Sequence, residues 1–147
     1  MTSDLWMLRP AIESDRHFIL DTWYRAHPPL FRGVSGRVYF NGQSRLIKRL
    51  YDQCAAYVAC YTGDSDLVLG WSVTSASAVH YVWVREDFRR QGIARALLAP
   101  YIGKPTIYTH PPNRAYIRDL IPKDWVYDPY LAFDLAETRT GEERTRS

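Results

Sequence analysis

Between Ala78 and Ala99 an apolar run, AVHYVWV, meets a polar turn carrying Arg89, Arg90, Gln91 and Gly92, and emerges as IARALLA. In that second run Ile93 and Leu97, and Ala94 and Leu98, stand four apart, as one helical face requires. A strand that feeds a helix through a basic, glycine-containing turn leaves the first helical N–H groups pointing at the turn without partners. Those donors, the positive dipole end and two arginines make a phosphate site. Gly92 is free to take a positive φ and lets a ligand approach the backbone, and Ala94 keeps the first helical turn uncrowded. Two other phosphate-binding signatures are excluded, because the chain has neither GxxxxGKS/T nor GxGxxG.

What remains is Arg89-x-x-Gly92-x-Ala94, with Val84 five residues upstream of the arginine. This resembles the acetyl-CoA signature of the GNAT superfamily of N-acetyltransferases, V-x-P-x-x-R-x-x-G-x-G/A. The likeness covers Val84 to Ala94, with Glu86 at the usual proline position and Ala94 at the second glycine.

The rest of the chain sets the frame. Its 147 residues, 46% hydrophobic and 24% charged, predict one soluble globular domain over residues 1–135 and a polar tail over 136–147. A net charge of +3 suits an anionic cofactor as well as weak nucleic-acid contact and decides neither. Cys54 and Cys60, without CxxC spacing, read as free thiols of a reducing compartment, and no metal is expected. No run reaches transmembrane length, and MTSDLWMLRP has no signal-peptide profile, so a cytoplasmic protein without membrane contact is expected.

In chain order, LWMLR is a first strand closed by Pro10. Ser14 or Glu13 is expected to cap a helix bearing Phe18, Ile19, Trp23 and Tyr24, which stops near His27 because Pro28 and Pro29 cannot continue it. Residues 30–43 read as a glycine-containing loop with room for a short turn of helix, and Ser44 as the cap of a second amphipathic helix, SRLIKRLYDQC. AAYVACY, TGDSD and LVLGWSV alternate as an antiparallel hairpin. After the turn-and-helix stretch come a fifth strand, TIYTH, a helix, NRAYIRDL, and one or two strands in WVYDPYLAF. This β-α-α-β-β-β-α-β-α-β order is similar to the GNAT fold. The resemblance implies an α/β (α+β) domain with a mixed, mostly antiparallel sheet flanked by helices, its fourth and fifth strands splayed around CoA. An unpaired strand edge between them offers N–H and C=O groups to the pantetheine amides.

The resemblance also implies roles. Val82 and Val84 line the cofactor, with Val84's backbone at the thioester oxygen. The turn Arg89, Arg90, Gln91, Gly92, Ile93 and Ala94 holds the pyrophosphate, and Asn113 opens the later helix against the cofactor. For the base, His80 shares strand parity with Val82 and Val84 and titrates in the useful range. His110, just past the fifth strand, is its rival. For the acid, the family's helix pattern N-x-x-A-x-x-x-Y puts Leu120 at the tyrosine position, and Tyr116 stands one turn earlier. Trp23, Tyr24, His27 and Phe31, with Tyr39 and Phe40, are either the acceptor pocket or plain core. Cys60, on a strand, reads as buried and inert rather than as a nucleophile.

The expected activity is transfer of an acyl group from acetyl-CoA or another acyl-CoA to an amine, on a small molecule or a protein, by a monomer or homodimer. Two alternatives stay open. One is modification of a nucleic-acid base amine, for which Arg32, Arg37, Arg45, Lys48 and Arg49 supply charge. The other is a non-catalytic CoA-binding or interaction module.

Overall fold

The computed structural model describes residues 4–26, 36–112, 114–133 and 135. The elements are β1 (Trp6–Pro10), α1 (Arg16–Ala26), α2 (Gly36–Gln53), β2 (Ala55–Tyr61), β3 (Asp64–Ser75), β4 (Ala78–Val84), α3 (Ile93–Leu98), β5 (Ile107–Tyr108), α4 (Ala115–Arg118) and β6 (Val126–Tyr127). Their order is the one expected. The strands form a single sheet in sequence order, antiparallel from β1 to β4 and parallel from β4 to β6. No helix among the described residues is long and apolar enough to cross a membrane.

The centre of the sheet, β3 and β4, is buried on both faces. Against one face α1 and α2 pack Ile19, Trp23, Ile47 and Leu50 onto Val58, Trp71 and Tyr81. Against the other, α3 and α4 pack Ile93, Leu97 and Ile117 onto Trp6, Val82 and Val84. Gly70 on β3 marks the tightest approach: a Cβ there would stand 2.8 Å from Ile93 Cγ2 and 2.9 Å from the Trp83 carbonyl oxygen. Only glycine lets the start of α3 sit this low on the sheet.

Several local expectations change. Helix α2 begins at Gly36, so part of the expected loop is helical. Gln43, buried, continues the stripe of Leu46, Ile47 and Leu50 by one turn, and burial of that face outweighs the roughly 1 kcal/mol that an interior glycine costs. Ser44 is therefore inside the helix, and its hydroxyl donates back to the Asn41 carbonyl at 3.1 Å rather than capping. At the start of α1 the work falls to Asp15. Its carboxylate accepts the Ile12 N–H at 2.8 Å and both ends of the Arg9 guanidinium at 2.7 and 3.1 Å. Burial alone would raise that carboxyl, but the Arg9 and Ile12 hydrogen bonds hold it below the usual range.

The fifth strand is shorter than TIYTH, because its ladder with β4 covers only Ala78–Ile107 and Val79–Tyr108 before the two strands part. Residues 130–133, expected as strand, are helical: Pro129 interrupts the ladder, and the Asp128 carboxylate accepts the Tyr130 N–H at 3.1 Å, turning the chain. The expected tail, 136–147, lies outside the described residues.

Candidate active site

Beyond Val79, β4 runs on to Val84 without β5 beside it. The chain then turns sharply. Arg85 fixes the exit, its Nε and Nη2 donating to the Val68 carbonyl at 3.1 and 2.8 Å. Two residues of the turn take positive φ, Arg90 at 65° and Gly92 at 83°. For an arginine that backbone costs about 1–2 kcal/mol, a strain of the kind found where a chain is shaped around a ligand. The Trp6 indole N–H donates to the Gln91 carbonyl at 3.1 Å, tying the turn to β1. Gly92 then leads into α3 with no side-chain cap, and the first N–H groups of that helix have no partner within it.

Two clefts meet at this turn, and Val84 and Tyr116 border both. The larger, about 490 Å³, is lined by Phe88, Arg90, Gly92, Ala94, Arg95 and Leu120. The other, about 280 Å³, runs along Tyr81–Val84 and is closed by Thr22, Arg25 and Ala26 of α1, by Arg89, and by Arg114 before α4. The Arg89 guanidinium lies 5.5 Å from the centre of the Tyr116 ring. Neither the Tyr116 hydroxyl nor Arg89 Nε, both buried, makes a hydrogen bond of good geometry. Burial raises the Tyr116 hydroxyl above the ordinary tyrosine range, and Arg89 opposes that in part. Two adjoining buried polar atoms without a well-formed hydrogen bond, beside a cleft, are what a polar ligand would satisfy. The turn and the orphaned pair thus suit a cofactor that carries phosphates at one end and amides along an arm.

His80 is elsewhere. The sheet register steps from Val73–Tyr81 to Thr74–Val79, so His80 is an extra residue in a bulge. Val79 and Val82 consequently share the α3 face, and the parity that aimed His80 with Val82 and Val84 is broken. The ring is fully buried, with Nδ1 2.8 Å from Thr109 Oγ1 and Nε2 3.2 Å from Ser75 Oγ, and burial pushes its pKa down to about 4. It borders neither cleft. His110 is closer: with Tyr81, Val82 and Ile117 it lines a narrow crevice of about 10 Å³, and those three also border the smaller cleft. Its Nδ1 meets Thr109 Oγ1 at 2.9 Å, and its ring packs edge-on to Trp23.

On α1, Trp23 is fully buried, stacked on Tyr81 at 5.8 Å, and Tyr24 packs toward α2 with its hydroxyl donating to the Ser44 carbonyl at 3.4 Å. Both belong to the core face. The residues that reach the cleft are Thr22, Arg25 and Ala26, at three-and-four spacing on the same helix, a face without aromatics to mark it in the sequence. Trp6, Arg95 and Arg114 were also missed, the first because its contact with the turn spans 85 residues of chain. His27, Phe31 and Asn113 lie outside the described residues, as do the side chains of Tyr39 and Phe40. Cys60 is fully buried, and burial pushes the Cys54 thiol up to about 11, so neither is a nucleophile at neutral pH.

A family model described as acetyltransferase (GNAT) family matches residues 3–104 of the chain. No curated protein sequence matches it. Among solved structures, apo-form YjaB from Escherichia coli is similar at 16% identity and a TM-score of 0.50, over 67% of this chain and 65% of that one. A ribosomal-protein-alanine N-acetyltransferase from Brucella melitensis biovar Abortus 2308 is similar at 17% identity and a TM-score of 0.50, over 79% of this chain and 86% of that one. At such identities the likeness speaks for the fold.

Proposed function

Because this chain belongs to the GNAT family of acetyltransferases, we propose that it transfers an acyl group, most simply acetyl, from CoA to an amine held in the cleft beside β4. The observation that carries the reading is the join of the two clefts at Val84 and Tyr116, directly over the turn that bears the family signature. Bound there, acyl-CoA supplies an activated acyl group as a thioester. The turn from Arg89 to Ala94 and the cations Arg90 and Arg95 hold its phosphates, while the free edge of β4, with Val82 and Val84, receives the arm. Val84's backbone N–H is the donor for the developing oxyanion.

In the transfer an acyl carbon–nitrogen bond forms and the carbon–sulfur bond breaks. The ammonium proton leaves to water, the nitrogen sheds a second proton that restores the general acid as the amide forms, and that acid protonates the departing thiolate. Tyr116 suits that last step: its hydroxyl is buried at the junction, and its raised pKa keeps it protonated. No histidine is needed to strip the amine. Arg25, Arg89 and Arg114 around the smaller cleft disfavour an ammonium ion there and lower the acceptor's pKa. His110 serves as a packing and positioning group at the root of the cleft. Of the basic residues, Arg32 lies outside the described residues, and Arg37, Arg45, Lys48 and Arg49 are exposed on α2 and border neither cleft, so these four give a nucleic-acid acceptor no support from the site.

Calorimetric titration with acetyl-CoA tests the reading. Gly92→Glu places a carboxylate on the phosphate turn; a Cβ there meets nothing closer than Trp6 at 3.9 Å, so the side chain has room and the fold bears only the backbone strain of a non-glycine residue at φ 83°, about 1–2 kcal/mol. Wild type should bind and the variant should not. A folded Gly92→Glu protein with unaltered affinity would refute the assignment, and thiol release with an amine separates an enzyme from a mere CoA binder.

A further inference from the structure

The charge of the smaller cleft says what the acceptor carries besides its amine, an inference that rests on the acyltransferase reading above. Arg25, Arg89 and Arg114 come from three separate segments to line this cleft, and its described lining contains no Asp or Glu. The phosphate turn has its own cations, since Arg90 and Arg95 border the larger cleft and not this one. The carboxylates that meet these arginines stand outside the lining. Asp21 reaches Arg25 at 3.4 Å with side chains 42% and 79% exposed, and Glu86 reaches Arg89 at 3.8 Å while itself 81% exposed. Exposed pairs of this kind contribute little, so a bound anion can take the place of Asp21.

Arg25 is the cation least suited to the cofactor, because it comes from α1 rather than from the turn or α4. A guanidinium binds a carboxylate or a phosphate in a two-pronged grip that also orients it. A polycationic acceptor would instead enter against three guanidiniums, with no acid in the described lining to receive it. The geometry points to an acceptor that is a small amine bearing an anionic group, carboxylate or phosphate, gripped by Arg25 while the amine faces β4. The same arginines then do two things: they fix one end of the substrate and keep the other end unprotonated.

Matched pairs test this at saturating acetyl-CoA, with thiol release as the readout. Tyrosine is compared with tyramine, O-phosphoethanolamine with ethanolamine, and kanamycin serves as the polycation. The anionic member of at least one pair should be favoured about tenfold or more in kcat/KM, mostly through KM, and which pair responds separates carboxylate from phosphate. Arg25→Ala should collapse that ratio toward one, and Arg25→Lys should recover part of it. Equal use of both members, preference for kanamycin, or a ratio indifferent to Arg25→Ala would overturn the inference. Should none of the amines turn over, equilibrium dialysis of N-acetyltyrosine and N-acetyltyramine on the CoA-loaded protein decides. Tighter binding of the carboxylate product supports the inference, and equal or absent binding overturns it. Absence of acetyl-CoA binding would instead overturn the acyltransferase reading and this inference with it, whereas acetyl-CoA binding without anion preference overturns this inference alone.

Discussion

Replacing His80 by glutamine should make the protein less sensitive to acid. The ring is fully buried between the hydroxyls of Thr109 and Ser75, and burial lowers its pKa from 6.5 to about 4. Below pH 6.5 the unfolded chain therefore binds a proton that the folded protein refuses. The contribution is fully present above that pH, is lost progressively as pH falls toward about 4, and changes no further below it. At about 1.4 kcal/mol per pH unit the whole interval amounts to about 3 kcal/mol, of which about 2 is gone by about pH 5. Against a total stability of about 5–15 kcal/mol this is readily measured. Urea unfolding of wild type and His80→Gln at about pH 7.5 and about pH 5 isolates the effect, because Asp15 and His110 are common to both proteins. Wild type should lose about 2 kcal/mol more than the variant over that interval. Parallel losses would show that His80 is not held neutral by burial. The same variant should keep kcat within about threefold, whereas loss of a general base costs about 10²–10⁴-fold.

Three further perturbations probe the scaffold and the site. Trp23→Ala should cost about 3–5 kcal/mol and appear as a lowered melting temperature rather than as a changed acceptor KM, since the ring is fully buried against Tyr81 and Trp71. Gly70→Ala should cost about 1–3 kcal/mol in denaturant unfolding, because the Trp83 carbonyl at 2.9 Å is backbone and cannot move aside easily, and should weaken acetyl-CoA binding by displacing Ile93. Tyr116→Phe should lower kcat by about 10²-fold, a much larger effect than any loss of acetyl-CoA affinity; with the hydroxyl's pKa raised above the ordinary 10.0, wild-type activity should persist to higher pH than a free phenol would allow.

The sequence disclosed what depends on neighbours in the chain. The turn at Gly92, the apolar stripe of α2 and the β2–β3 hairpin are local patterns and are present as read, although α2 starts eight residues before the expected cap Ser44 and β3 is buried on both faces rather than alternating. Misreadings arose where a distant contact decides. The parity of His80 with Val84 assumed a regular strand, and the bulge opposite Val73–Thr74 is a property of the β3–β4 register rather than of β4. Trp23 and Tyr24 could be read as pocket or as core, and the phase of α1 against the sheet decides for the core and gives the cleft Thr22 and Arg25. Tyr116 seemed one turn out of place for a family acid. Only its packing under Arg89, at the meeting of two clefts, gives it a claim to the role.

The parting of β4 and β5 has a mechanical side. From β1 to β4 the sheet is joined by long antiparallel ladders, while β5 and β6 hang on two residue pairs each, through bonds such as Ile107 N–H to the Ser77 carbonyl and Val126 N–H to the Thr106 carbonyl. Such a join yields at lower free energy than the sheet it borders, so residues near 105–128 can loosen while the antiparallel part stays closed. Amide hydrogens would then exchange in two tiers, with those of β5 and β6 released well before those of β3. A ligand lying along β4 bonds to the side of the gap that never moves and packs against the side that does. It therefore acts as the mortar of the joint, slowing exchange on the β5 side by its mass-action linkage while leaving the antiparallel tier almost untouched.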